Sequence, residues 1–315
     1  MDSFVYSLNA TIPIFLVMVL GGVIKKLGVI DDHFAKKANK YVFDVALPVM
    51  LFRDIASADM TSQFDAKFVF YCMFVTIFMF VAIWVLTEIF MKDDTMKGSF
   101  VQGSCRSSAA ILGMAFIQNM YSDTGMAPLM IIGSVPLYNI MAVTTLSLFA
   151  PGGGKLDTAK LIKTLKGIAT NPIILGILTG MIWSLLHFPM PAILETSVNN
   201  LGKTATPLGL MAMGGALKFG KAFARPKPLI ACTFLKLAGY EAVFLPIAVM
   251  LGFSHDMLVA IIIMLGSATT VSCYIMAKNM GNDEVLTSNA IVLSTMFSSV
   301  TMTGWIYLLR SLGLI

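Results

Sequence analysis

Gln102-Gly103-Ser104-Cys105-Arg106-Ser107-Ser108-Ala109-Ala110-Ile111-Leu112-Gly113 interrupts an apolar stretch with small and hydroxyl residues and one arginine. Gly266-Ser267-Ala268-Thr269-Thr270-Val271-Ser272-Cys273 does the same about 160 residues later. Gly, Ser and Thr weaken a helical ladder and supply side-chain oxygens in its place. Each stretch is therefore read as a helix that breaks partway along its length. Backbone freed at such a break can hold a solute. The helix that resumes after it turns amide N–H groups and a positive dipole end toward an anion. For either stretch alone a second reading stands, because small residues also let helices pack closely. Their matching positions in the two halves of the chain favour a site.

The surroundings of these breaks are those of a membrane protein. The chain has 315 residues, of which 57% are hydrophobic and only 12% charged, and its mean hydropathy is +0.83. A soluble chain carries roughly 25% charge, so too few ionic groups are present to cover a water-facing surface. Disorder, nucleic-acid binding and an ordinary cytosolic enzyme are excluded together. A lipid-crossing helix needs about 20 apolar residues. Gaps between charges supply ten spans, near 3–24, 36–57, 67–90, 98–121, 125–149, 168–188, 196–217, 228–252, 256–280 and 285–309. The first span lacks a basic start and ends at Lys25-Lys26, so it is not read as a cleavable signal. One set of loops holds 16 of the 22 Lys and Arg and the other set 4, with Arg106 and Lys236 inside spans. The crowded set is expected in the cytoplasm and both termini outside it, in a multi-pass protein of the cell membrane. Cys72, Cys105, Cys232 and Cys273 show no metal-ligand spacing and read as buried small hydrophobes. The 24 methionines read as adaptable packing between helices.

The halves resemble each other at an offset of 159–160. Ile12-Pro13-Ile14 with Gly21 answers Asn171-Pro172-Ile173 with Gly180; Leu47-Pro48 answers Thr206-Pro207; Asn119-Met120-x-x-Asp123 answers Asn279-Met280-x-x-Asp283. At this offset Ser108 pairs with Ala268 and Leu112 with Ser272. Each half holds five spans, an odd number, so the second half enters the membrane from the opposite face. The expected organisation is a first five-helix repeat at 1–150, a cytoplasmic linker at 151–167 and a second, inverted repeat at 168–315. Inverted repeats of this kind suit alternating access in secondary transporters.

Arg106-Ser107-Ser108-Ala109-Ala110-Ile111-Leu112-Gly113-Met114-Ala115 resembles the fourth-helix motif of the auxin efflux carrier family. Thr270 through Asp283 is similar to that family's ninth-helix motif, Asn171-Pro172-Ile173-Ile174-Leu175 to its sixth-helix start, and Tyr138-Asn139 to its fifth helix. The resemblance covers essentially the whole chain. It implies an all-α membrane protein of ten helices, with unwound fourth and ninth helices crossing at the centre, as in bile-acid symporters and sodium/proton antiporters. It also implies a carrier of small organic anions such as malate or malonate, the class to which bacterial members are often assigned; plant members export indole acetate. Ser108 and Ser272 stand where asparagines are frequent in the family, and Ala115, Ala268 and Thr269 stand where crossover prolines are usual.

Ionisable residues inside a span are costly and are functional candidates by default. Arg106 and Lys236 are placed to meet an anion; both also suit snorkelling to the headgroups. Glu241 is either a protonatable coupling group or a carboxyl hydrogen-bonded within the bundle. Asp44, just before Pro48, is a second coupling candidate, although Lys40 stands at i−4 from it. The candidate substrate-binding residues are thus Arg106, Ser107, Ser108, Ile111, Leu112, Gly113, Tyr138, Asn139, Thr269, Thr270, Ser272, Cys273 and Tyr274, with Asp44, Lys236 and Glu241 as candidates for ion coupling.

The expected function is a secondary active transporter of small organic anions bound where helices 4 and 9 cross. A passive channel or an exporter of an auxin-like aromatic carboxylate on the same fold are the alternatives. The chain lacks His-Glu-x-x-His, Gly-x-Gly-Asp and any nucleotide-binding loop, so neither an intramembrane enzyme nor an ATP-driven pump is expected. No cofactor or metal is expected. The sequence leaves H⁺ or Na⁺ coupling and a homodimer open.

Overall fold

Side-chain caps start several of the described helices. In the computed structural model, Asp31 accepts from the Phe34 N–H at the start of α1 (Asp32–Tyr41), and Asp65 accepts from the Phe68 N–H at the start of α3 (Ala66–Phe90). Asp93 caps α4 (Asp94–Cys105) and Asn171 caps α6 (Pro172–Leu185). Asp283 accepts from both Val285 and Leu286 at the start of α13 (Glu284–Ser311). These side chains satisfy the N–H groups a helix start leaves orphaned. The structure describes residues 19–57, 65–109, 126–150, 169–216, 226–253 and 255–315, together with 13, 16, 17, 166 and 167. The regular elements among the described residues are all helices, with one isolated antiparallel bridge.

Among the described residues, three helices are each long and apolar enough to cross a membrane: Ala66–Phe90, Leu129–Leu148 within α5 (Ala127–Leu148), and Pro226–Met250. Glu284–Ser298 and Val300–Ser311, taken together, make a fourth. On α3 both faces are apolar. Phe68, Cys72, Val75 and Met79 are buried, while Phe70, Phe74, Phe78, Val81 and Val85 are exposed on the opposite side. A helix apolar all round belongs in lipid. At about 1.5 Å per residue its 25 residues are long enough for a bilayer core of about 30 Å.

Several of the spans read from the sequence bend or break partway along their length. α1 continues through a π-helical turn (Val42–Ala46) into α2 (Leu47–Ala56). Pro48 has no N–H for the carbonyl one turn back, and the wider turn just before it absorbs the mismatch. α7 (Ala192–Lys203) and α8 (Ala205–Ala216) break at Thr204, just before Pro207. α9 (Pro226–Phe234) and α10 (Tyr240–Met250) join through a second π turn (Leu235–Gly239) that carries Lys236. α11 (His255–Gly266) and α12 (Ser272–Asn279) are separated by extended residues.

Packing sorts the described helices into two bundles. α2 lies against α6 and α7, and α8 lies against α1. α3, α4, α5 and α9 through α13 pack among themselves. Glycines hold each bundle tight. Gly176 faces the Pro48 backbone and Gly180 the Phe52 backbone in the first. In the second, Gly133 meets Cys72 and the Val69 carbonyl, and Gly103 meets Cys232. A methyl group at Gly176 would lie 2.5 Å from the Pro48 carbonyl oxygen, too close to exist without moving a helix. The seam between the bundles is lightly packed, with α8 and the first π turn touching α12.

Candidate functional site

The two interrupted segments meet each other. α4 ends at Cys105, and Arg106 is extended, with φ −80° and ψ 130°. Ser107 forms an antiparallel bridge with Thr269, and the Ser108 N–H donates to the Ala268 carbonyl at 2.9 Å. Each segment satisfies the helix end of the other. The Ser107 hydroxyl donates to the Met264 carbonyl near the end of α11, and the Thr269 hydroxyl donates to the Gly103 carbonyl of α4 at 2.9 Å. Tyr138 on α5 adds a second donor to the Met264 carbonyl at 2.9 Å, and Lys236 donates to the Leu265 carbonyl. Gln102 Nε2 donates to the Cys273 carbonyl at 2.9 Å, and the Thr269 N–H donates to Ser294 Oγ at 3.0 Å. Carbonyls exposed at a helix C-terminus in a buried place need such donors. An ammonium is also the charge that the negative end of a helix prefers.

Arg106 is 3% exposed and is held by neutral groups. Its Nη2 donates to Asn139 Oδ1 at 2.7 Å and to Ser272 Oγ at 2.9 Å, and Nη1 donates to the Met276 sulfur at 2.7 Å. Asn139 is oriented for this by its own Nδ2, which donates to the Val135 carbonyl at 2.9 Å. The Arg106 Nε is buried without an acceptor. Among the described residues no carboxylate forms an ion pair with Arg106 or with Lys236. Lys236 is fully buried, and its Nζ also donates to Ser107 Oγ at 2.5 Å. Two cations thus bracket Ser107 with no counter-charge in contact.

Two small cavities open beside this crossing. One, of about 40 Å³, is lined by Arg106, Ser107, Ser108, Val135, Tyr138, Asn139, Thr270 and Ser272 of the second bundle, and by Leu47, Met50, Leu51 and Asp54 of the first. The other, of about 30 Å³, adds Ala205, Thr206, Val271 and Ile275. Both lie on the seam between the bundles. Their volumes suit a few waters each.

Most of the expected binding residues come together here. Arg106, Ser107, Ser108, Tyr138, Asn139, Thr270 and Ser272 line the cavities, while Thr269 and Cys273 lie in the backbone network just behind them. Tyr274 does not join them: its hydroxyl accepts from Lys278 Nζ at 3.1 Å, toward the far end of α12. Ile111, Leu112 and Gly113 lie outside the described residues. Of the three ion-coupling candidates, Asp44 is exposed on the π turn, opposite the buried Val42 and Ala46, and lines neither cavity. Glu241 is fully buried, with its carboxylate against Gly266 and neither oxygen hydrogen-bonded.

The sequence reading missed the wall contributed by the first bundle. Asp54 lines the larger cavity, and its Oδ1 accepts from Arg53 Nε at 2.9 Å. Adjacent charges at a span end carry no signal of a buried role. Leu47 and Thr206 line the smaller cavity together, and they are repeat mates in the Leu47-Pro48 and Thr206-Pro207 match. That match was the available pointer. Outside the spans, at the start of α4, Lys97 pairs with Asp94 at 2.6 Å and Glu88 at 2.7 Å. Hydrogen bonds from Asp94 and then Glu88 hold its ammonium above the usual lysine range.

Comparison with known proteins places the chain in a family. A family described as "Membrane transport protein" matches residues 6–306. A relative from Rhizobium meliloti (strain 1021), named "Putative malonate transporter", is 24% identical over 308 residues, which cover 95% of this chain and 95% of the relative. The chain belongs to the membrane transport protein family, the auxin efflux carrier family its motifs resemble, and is a membrane transporter, not an enzyme.

Proposed function

We propose that the chain is a secondary active transporter of small organic anions, malonate, malate or related carboxylates, bound at the crossing of the two interrupted spans. The observation that carries this reading is the Arg106 guanidinium, buried at a water-sized cavity with only neutral acceptors. A buried charge without a partner costs several kcal/mol, and a carboxylate guest would supply the missing one. Ser272 and Thr270, at the start of α12, stand beside it with the positive end of a helix dipole. The name of the relative from Rhizobium fits this substrate class.

The architecture proposed is ten spans in two inverted repeats, 1–150 and 168–315, joined by a cytoplasmic linker at 151–167. Both termini lie outside the cytoplasm, in the cell membrane. Ser108 supports the repeat: its N–H bonds Ala268, the residue 160 positions on that is its repeat mate. Where a twofold axis relates two halves, equivalent residues on the axis must meet. In this conformation the cavities are too small for a dicarboxylate, so transport requires the bundles to move along their seam.

Arg106→Ala is expected to raise the apparent constant for malonate or malate in proteoliposomes. A lost charge-assisted bond of about 1.5–3 kcal/mol corresponds to roughly a ten- to hundredfold rise. An unchanged constant in folded protein refutes the assignment.

A further inference from the structure

Glu241 has no place in the anion site, yet it is among the most deeply buried groups of the chain. Both carboxylate oxygens lack a hydrogen-bond partner. Oε1 and the carboxyl carbon rest against Gly266, where a side chain would collide with them, so the last residue of α11 leaves room for this carboxyl. Lys236 reaches the adjacent carbonyl, that of Leu265, but makes no ion pair with Glu241. Acid and base thus flank the same helix end without touching. That helix end leads directly into the extended residues that cross Arg106 and Ser107.

We propose that Glu241 is a proton-binding site that couples anion transport to a proton gradient, with Lys236 as its alternative counter-ion. The inference rests on the anion-transport reading above. An ionised carboxylate with no donor in an apolar interior is far costlier than the neutral acid, so in this conformation the group holds a proton. Movement of α11 that releases Lys236 from Ser107 and Leu265 lets the ammonium pair with the carboxylate, and the proton leaves to water. Lys236 is the charged group that acts on Glu241. On the elements around it, α3 offers Tyr71, α4 Cys105, and α10 itself Tyr240. The ionisable residues of α11 are confined to His255 and Asp256 at its start, and α13 has no acid between Glu284 and its end. A sodium ion suits the place less well. It needs several oxygen ligands, no group of three acidic, His or Cys residues gathers among the described residues, and the fixed Lys236 charge opposes it.

The test uses the full-length protein in proteoliposomes, with labelled malonate and malate as probes. Counterflow at equal pH on both faces reports anion exchange; uptake under an imposed pH gradient reports coupling. Wild type is expected to show counterflow, and a gradient-driven accumulation that a protonophore abolishes. Glu241→Gln is expected to keep counterflow and lose the gradient response. Glu241→Asp, which keeps a titratable acid, is expected to retain that response, and serves where the glutamine variant fails to fold. Wild-type exchange that ignores the pH gradient overturns the proton assignment and leaves the anion reading standing, as does a Glu241→Gln protein still driven by it. Wild type that exchanges neither anion overturns the anion reading, and the inference with it.

Discussion

At the scale of single residues, the proposed anion site is an arginine positioned by a chain of neutral acceptors. Asn139 is the clearest positioning residue, since it fixes one amide hydrogen on Val135 and offers its oxygen to the guanidinium. Asp54 faces the same cavity from the other bundle with its charge engaged by Arg53. Asp54→Asn removes a negative charge from the cavity wall and leaves the neighbouring Arg53 without its carboxylate partner. The apparent constant for a carboxylate is expected to fall roughly fivefold, given about 1 kcal/mol for charges a few ångströms apart and screened by water; proteoliposome uptake against concentration measures it. Arg106 was legible in the sequence because charge is rare in these spans. Asp54 was not, because an Arg-Asp pair at a span end looks the same whether it faces water or a cavity.

The helices divide into those whose glycines meet backbone and those whose glycines meet movable side chains. Gly176 belongs to the first kind and Gly209 to the second. A methyl group at Gly209 would meet the Ile275 Cδ1 atom at 2.8 Å, the tip of a flexible side chain across the seam. Gly176→Ala is therefore expected to destabilise the folded protein by about 1–3 kcal/mol through helix separation, seen as a lower melting temperature in detergent. Gly209→Ala is expected to leave melting nearly unchanged and alter the transport rate. The starts of α3 and α13 fall within a residue of the expected 67 and 285, whereas α1 and α4 begin four residues before the expected 36 and 98, because Asp31 and Asp93 cap them there and spans were bounded by apolar character. The π turns were not. The first is an accommodation to Pro48 whose form depends on α6 packed against it, and the second has no proline beside it at all.

Over the whole molecule, the two bundles meet along a seam that holds both cavities. Short matches at an offset of 159–160 were visible along the chain, but the partition into two bundles was not, since it joins helices distant in sequence: α2 with α6, and α4 with α13. If transport is motion along this seam, a covalent bridge across it must stop the cycle. Val271 Cγ1 lies 3.4 Å from where a Cβ at Gly209 would sit, within reach of disulfide geometry. The double variant Gly209→Cys with Val271→Cys is expected to lose transport on oxidation and regain it on reduction. Flux before and after reductant checks this, and transport by the fully oxidised protein would show that the seam stays fixed during the cycle.

The four thiols make the protein its own timekeeper. Cys105 ends α4, Cys273 lies in the first turn of α12, and Cys232 packs against Gly103; these three and Cys72 are buried and unbridged. In the closed arrangement an aqueous alkylating reagent finds no sulfur to modify. Each excursion that wets the crossing uncovers one, so the rate of labelling of the unmutated chain counts openings. A tightly held carboxylate guest should slow that count.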